Sequence, residues 1–402
     1  MMHSQLLDLA DRAAAALGAF RRPMSAATLI ELAQRRTRLD DFGDRDFEEP
    51  LAVLIRSYEE EANLSTFGRM AARWDVERFL SNRLVIREAE KRDPAILAEP
   101  IERPIFITGL PRSGTTFLHE LLAHDPANRA VRCWETIYPY PARFDRPNDA
   151  DERRRKVDRQ LAMFARLAPE IRSIHPMRAE SPQECTEIHG HTFASLRFDT
   201  THDVPSYRDW LEQADLTGAY QFHRRFLQHM QHQKGRGSWV LKCPDHVFAL
   251  DALRAVYPDA RLVFLHRDPV DVLASVAKLT EVLRRPFARR VDPHAIGRQV
   301  SEQWSEGAGI LVEQMTGATA WRDDIVHLKF RDLVADPLRT VAALYERFGR
   351  TVSPALADSI RARVSERAND DTARLKGRLE DYGLDAEVER QRFRHYVSCF
   401  GV

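Results

Sequence analysis

Residues 104–126 constrain this chain more than any other stretch. PIFIT (104–108) is a short apolar run with β-branched residues, the pattern of a strand buried on both faces. GLPRSGTT (109–116) follows as a glycine-bounded loop, and FLHELLAHDP (117–126) reads as a helix stopped near Pro126. Strand, loop and helix in that order open a nucleotide-type α/β unit. The alternation returns with strands at WVLK (239–242), RLVFLH (261–266) and IVHLKF (325–330). Asp245 is placed to cap a helix running to Tyr257, and Asp268 to cap another with Pro269 at its first position. Asp336 and Pro337 start a third helix ending near Gly349. These transitions predict a P-loop-like three-layer α/β core, its mostly parallel sheet flanked by helices.

The rest of the chain divides around that core. Residues 1–98 are rich in Ala, Leu, Arg and Glu with apolar residues at helical spacing, which predicts an α-helical N-terminal extension. Pro94, Pro100 and Pro104 then mark a boundary, so an α/β domain is expected over 99–402. Between its first strand and WVLK lies a helical insertion at about 127–237, a natural place for acceptor recognition. The basic segment 284–300 is either solvated surface or a lid.

Lys+Arg and Asp+Glu both number 60, so the net charge is zero, which argues against nucleic acid or an anionic membrane as partner. No run of 18 apolar residues occurs, so no membrane span is expected. Cys133, Cys185, Cys243 and Cys399 have no CxxC spacing and read as reduced packing residues, and the start lacks a signal peptide's pattern; a cytoplasmic location is expected. The apolar stripes in 1–98 can pack on the core or on a second chain, a possible homodimer.

Gly109 and Gly114 bracket the loop with the G-x4-G spacing of a phosphate cradle. Successive backbone N–H groups and a helix N-terminus form a concave anion site there. The lysine of an ATP-type loop is missing, because Thr115 stands in its place, and Arg112 is the loop's only cation. No clear Mg²⁺-binding acid follows.

PIFITGLPRSGTTFLHELL (104–122) resembles the 5′-phosphosulfate loop of the PAPS-dependent sulfotransferases, in the PRSGTT form of their bacterial and tyrosylprotein branches. LVFLHRDPVDVLASV (262–276) is similar to their 3′-phosphate element, a strand followed by Arg267 and, eight residues on, Ser275. LKCPDHVFALDAL (241–253) and HLKFRDLVADP (327–337) resemble flanking family segments. The resemblance covers about 104–385. It implies PAPS as co-substrate, PAP as product and no metal. It further implies that Arg112, Ser113, Gly114, Thr115 and Thr116 hold the 5′ end, and that Arg267 and Ser275 hold the 3′-phosphate, a group ATP lacks. Phe330 stacks on adenine or packs a core strand. The family's C-terminal Arg-Lys-Gly element is matched only by Lys376 and Gly377, since Leu375 displaces Arg374.

Sulfuryl transfer needs positioning, cations over the transferring group, and a base for the acceptor hydroxyl. Arg112 and Lys242 are the expected cations. His246 resembles the histidine base of the cytosolic branch, and Glu135, in RCWETIYP (132–139), the glutamate base of the tyrosylprotein branch. Both remain candidates. His175, His189 and His191 lie in the insertion beside Glu184 and Glu187; their spacing does not make a metal site. The expected activity is transfer to a hydroxyl of a small molecule, lipid or carbohydrate. A P-loop kinase or phosphotransferase, or an idle nucleotide-binding scaffold, is the alternative.

Overall fold

The structure is a computed structural model that describes residues 23–144, 149–171, 177–316, 325–368 and 377–402. Residues 1–22, His175 and Lys376 lie outside the described residues. Five strands form one sheet in the order β2-β3-β1-β4-β5. They are β1 (Ile105–Gly109), β2 (Asn128–Arg129), β3 (Ser238–Lys242), β4 (Arg261–His266) and β5 (Ile325–Lys329). Every pairing is parallel, with Phe106 opposite both Leu241 and Leu262. The two-residue edge strand β2 was not legible in the sequence, because its Asn and Arg carry no strand pattern.

The sheet is covered on both faces, which is why its strands read as continuous apolar runs. Ile105, Ile107, Val240, Val263 and Leu265 pack with Phe117, Leu121, Val341 and Leu344 on one side. Phe106, Leu241, Leu262 and Phe264 pack with Phe226, Leu273, Val300 and Leu311 on the other. Chain direction then locates the ligand crevice. β1 is followed by a connection toward β2, and β4 by one toward β5, so the connections leaving these adjacent strands run in opposite directions at their carboxyl ends. Open α/β sheets bind ligands at such a point.

The helices α1 (Ala26–Thr37), α2 (Glu48–Glu60) and α3 (Thr66–Arg92) precede β1. Leu29, Leu51, Phe79 and Leu80 share a core with Phe193, Phe198 and Tyr207 from the 127–237 region. Ion pairs reinforce the contact: buried Arg78 pairs with Asp75 and, at 2.6 Å, with Glu187. Asn82 Nδ2 lies 3.1 Å from His191 Nε2. Breaking one partner of such a buried pair typically costs about 3–5 kcal/mol. The first helices therefore hold the segment 184–192 in place from outside the sheet.

Most predicted helix starts hold. Asp268 accepts from Val270 N at 2.9 Å with Pro269 behind it, and Asp336 accepts from Arg339 N at 2.9 Å. Asp245 does not cap: a 3-10 turn runs Pro244–Ala249, an α-helix follows over Leu250–Val256, and the Asp245 carboxylate accepts instead from Thr186 Oγ1 at 3.0 Å. Pro244 makes the tighter turn before α geometry begins, and the side chain is drawn sideways to the insertion. Phe330 does not end a strand; it opens a short helix, Phe330–Ala335.

Candidate functional site

The loop after β1 takes the backbone shape that its residues dictate. Gly109 has φ +127°, and a Cβ there would lie 2.3 Å from Leu265 O, so the loop leaves the sheet pressed against β4. Gly114 has φ +96°, and its Cβ would come within 2.9 Å of Phe330 Cδ2. Only glycine meets both demands. Arg112 is itself left-handed at φ +63°. α4 (Thr115–Ala123) begins immediately afterwards. Ser113 is fully buried, yet its Oγ has no hydrogen-bond partner among the described residues. A buried hydroxyl without a partner is costly, and an anion in the loop would supply one.

At the end of β4 the chain brings four distant segments together. Arg267 Nη1 donates to Arg112 O at 3.0 Å and Nη2 to Asp271 Oδ2 at 3.0 Å. Its Nε is buried without a partner among the described residues, and its guanidinium sits 4.3 Å from the centre of the Phe330 ring. Arg112 Nε donates to Ser275 Oγ at 3.0 Å. Ser275 lies on α5 (Pro269–Arg284). Gly377 returns against that helix, where a Cβ would be 2.3 Å from Ala274 O. Loop, strand end, helix and C-terminal segment thus meet around two guanidinium groups and a hydroxyl. This donor set suits a phosphate.

At the end of β3, Lys242 is almost completely buried. Its Nζ donates to Thr116 Oγ1 at 3.1 Å and forms an ion pair with Glu184. Thr116 belongs to the loop helix, so the ammonium spans loop and insertion. Asp245 is close by; burial and then the Glu184 charge push its carboxyl up to about 6. Glu184 was noted in the sequence only among neighbours of histidines. No spacing rule connects residues 184 and 242, because the contact exists only through the fold of the insertion.

The two base candidates are placed differently. His246 has no exposed surface; its Nδ1 lies 2.6 Å from the Tyr220 hydroxyl, and its Nε2 is buried without a partner among the described residues. Burial holds its pKa well below the usual imidazole value. Phe106 and His189 enclose the ring, at 5.1 and 6.0 Å between centroids. Glu135 is also buried. It accepts from Arg132 N at 2.7 Å at a helix start and pairs with Lys234, which ends the helix leading toward β3. Both have protein partners: the Tyr220 hydroxyl for His246, and Arg132 N and Lys234 for Glu135. His189 and His191 are buried core residues. Among the described residues no group of His, Cys, Asp and Glu is arranged to hold a metal. No described helix is long and apolar enough to cross a membrane.

With this geometry in hand, the comparisons with known proteins are specific. Residues 104–354 match the model of the sulfotransferase family. The fold matches the crystal structure of sulfotransferase STF1 from Mycobacterium tuberculosis H37Rv at TM-score 0.80 and 33% identity, over 92% of this chain and 98% of that one. It matches sulfotransferase STF9 from Mycobacterium avium at TM-score 0.84 and 26% identity, over 94% and 97%. In sequence the chain is 24% identical over 270 residues to omega-hydroxy-beta-dihydromenaquinone-9 sulfotransferase Stf3 of Mycobacterium bovis and Mycobacterium tuberculosis. That alignment takes in 63% of this chain and 64% of those relatives' length. A loop of PRSGTT type at the end of β1, a guanidinium cradle at the end of β4 and a family match running from β1 past β5 agree: the chain belongs to the sulfotransferase family.

Proposed function

We propose that this chain transfers the sulfuryl group of PAPS to a hydroxyl group, releasing PAP. The carrying observation is the cradle formed by Arg267, Arg112 and Ser275 beside a loop that lacks the ATP-type lysine. A 3′-phosphate distinguishes PAPS from ATP, ADP and AMP, and the guanidinium–hydroxyl set answers that group. Two buried atoms without partners, Ser113 Oγ and Arg267 Nε, fit an anionic ligand spanning both ends of the site.

PAPS, when bound, supplies an activated sulfuryl group on a phosphate leaving group. The chain's own residues do the rest. The N–H groups of residues 112–116, with the Thr115 and Thr116 hydroxyls, hold the 5′ end at the start of α4. Lys242, anchored on Thr116, and Arg112 supply positive charge where negative charge grows during transfer. Phe330, already stacked with Arg267, offers a ring edge to the adenine, and Gly377 closes the 3′ side. The acceptor enters from the 127–237 insertion, where Glu184 reaches the site. Stf3 is named for a hydroxylated menaquinone, which favours a lipid alcohol over a sugar.

The test is calorimetric titration with PAP beside ADP and AMP, on the wild type and on Arg267→Ala. PAP should bind much more tightly than either competitor. Losing a charge-assisted phosphate contact of about 1.5–3 kcal/mol should weaken PAP by roughly 10- to 150-fold in the variant. Equal binding of ADP would sink the assignment and favour a phosphotransferase.

A further inference from the structure

We infer that Glu184 is the general base for the acceptor hydroxyl and that Lys242 keeps it occupied until the donor arrives. This rests on the sulfuryl-transfer reading above. The base must touch the acceptor, so it must be open to the cleft as well as next to the reacting group. Three carboxylate or imidazole candidates can be compared on that ground. The Glu135 side chain is 4% exposed and bound to Lys234, and His246 is sealed behind Phe106 and Tyr220. The Glu184 side chain is 22% exposed, while the Lys242 ammonium it holds is 2% exposed. Glu184 therefore covers the lysine from the solvent side.

The position of Lys242 makes the control specific. Its ammonium has one partner on the loop, Thr116, and one on the insertion, Glu184. A phosphosulfate in the loop brings several anionic oxygens to the Thr116 side. The ammonium then gains charge-assisted partners there, and its hold on Glu184 weakens. The Glu184 side chain, 22% exposed where Lys242 is 2%, is the carboxylate that the acceptor hydroxyl can reach. The acceptor oxygen forms a bond to sulfur while the bond from sulfur to the bridging oxygen breaks. PAP leaves with that electron pair, and the acceptor proton passes to a Glu184 oxygen, from which it returns to solvent. Without donor, Glu184 stays neutralised by Lys242, so acceptor alone is not deprotonated.

The groups around Glu184 fit this role. Lys242, Cys243 and Asp245 face it from the end of β3, His119 from α4, and Cys185 from its own helix. Burial holds the His119 pKa down to about 3 and raises both thiols, so none of those three changes charge near neutrality. Asp245 is the other carboxylate within reach of Lys242, and its oxygen is committed to Thr186.

The experiment follows ³⁵S leaving [³⁵S]PAPS, to water and to a long-chain primary alcohol in micelles, with PAP affinity measured in parallel. Glu184→Gln should lower turnover at least about 100-fold and leave the PAP Kd within about threefold. Formate should partly restore Glu184→Ala, as expected for a lost proton acceptor and not for a lost structural contact. If Glu184→Gln melts early, Glu184→Asp carries the test, with reduced turnover and an unchanged PAP Kd. Glu184→Gln turnover within about threefold of wild type would overturn the assignment while PAP binding still stands. A wild type that binds no PAP, or binds it and turns over no PAPS, overturns the sulfuryl-transfer reading and the base together.

Discussion

Acid should unfold this protein well above the pH at which most carboxylates protonate. His119, His189, His191, His202, His223, His246 and His266 are all buried. Burial lowers the pKa of each, to about 3 for His119, His189, His202 and His266. His191, His223 and His246 are held well below the ordinary value of 6.5. Their contribution is present above the unfolded-state pKa. It is lost progressively as pH falls from there toward the folded values, because only the unfolded chain takes up the proton. At pH 5.5 each histidine still neutral in the fold costs about 1.4 kcal/mol, and the whole set about 10 kcal/mol as an upper limit. Asp199 and Asp245 act the other way. Their carboxyls are raised to about 6, so they regain stability as pH falls through that value. At pH 5.5 the two offset only about 1–2 kcal/mol. Total stability for a domain is about 5–15 kcal/mol, so the histidines decide. Urea titrations at pH 7.5, 6.5 and 5.5, followed by tryptophan fluorescence, should show the midpoint collapsing below pH 6.5. A change of less than about 2 kcal/mol across that interval would refute the claim that these imidazoles stay neutral and buried.

Other substitutions separate binding from architecture. Ser113→Ala removes a hydroxyl with no partner among the described residues, so stability should hold or rise slightly, while PAP binding weakens by about fivefold; unchanged PAP affinity by calorimetry would show that the hydroxyl does not face the ligand. Gly114→Ala forces a Cβ toward Phe330 at a left-handed φ and should cost about 1–3 kcal/mol in a melting curve as well as most PAP affinity. Glu135→Gln loses the Lys234 charge partner; with that residue holding a helix start, turnover should stay within about threefold, and a loss near 100-fold would instead give the base role to Glu135.

The core was legible in the sequence because its signals are local. PIFIT and RLVFLH are apolar since both sheet faces are covered, and Asp268 with Pro269 announces a helix start that the structure contains. Glycine spacing in the loop was equally direct, because Gly109 and Gly114 each occupy a backbone angle that other residues avoid. The insertion was opaque. Its short helices Cys133–Ile137 and Cys185–His189 are five residues each, too short for periodicity to emerge. Asp245 illustrates the same limit: its sequence context looks like a cap, and only the packing of Thr186 against it reveals another use. The meeting of Glu184 with Lys242 is likewise a tertiary fact, set by Arg78 and Asn82 holding the segment from α3.

The tie between Arg267 and the Arg112 carbonyl braces the 3′ cradle from the chain's own backbone. Such a cradle grips donor and spent nucleotide alike, since PAPS and PAP carry the same 3′-phosphate. Contacts of that kind deepen the ground state and the transition state equally: they set how much donor is needed and contribute nothing to the chemical step. They also make the spent nucleotide a competitor of its own precursor. Where departure of PAP is the slow event at saturation, loosening Arg267 raises the ceiling on turnover even as it raises the donor concentration required.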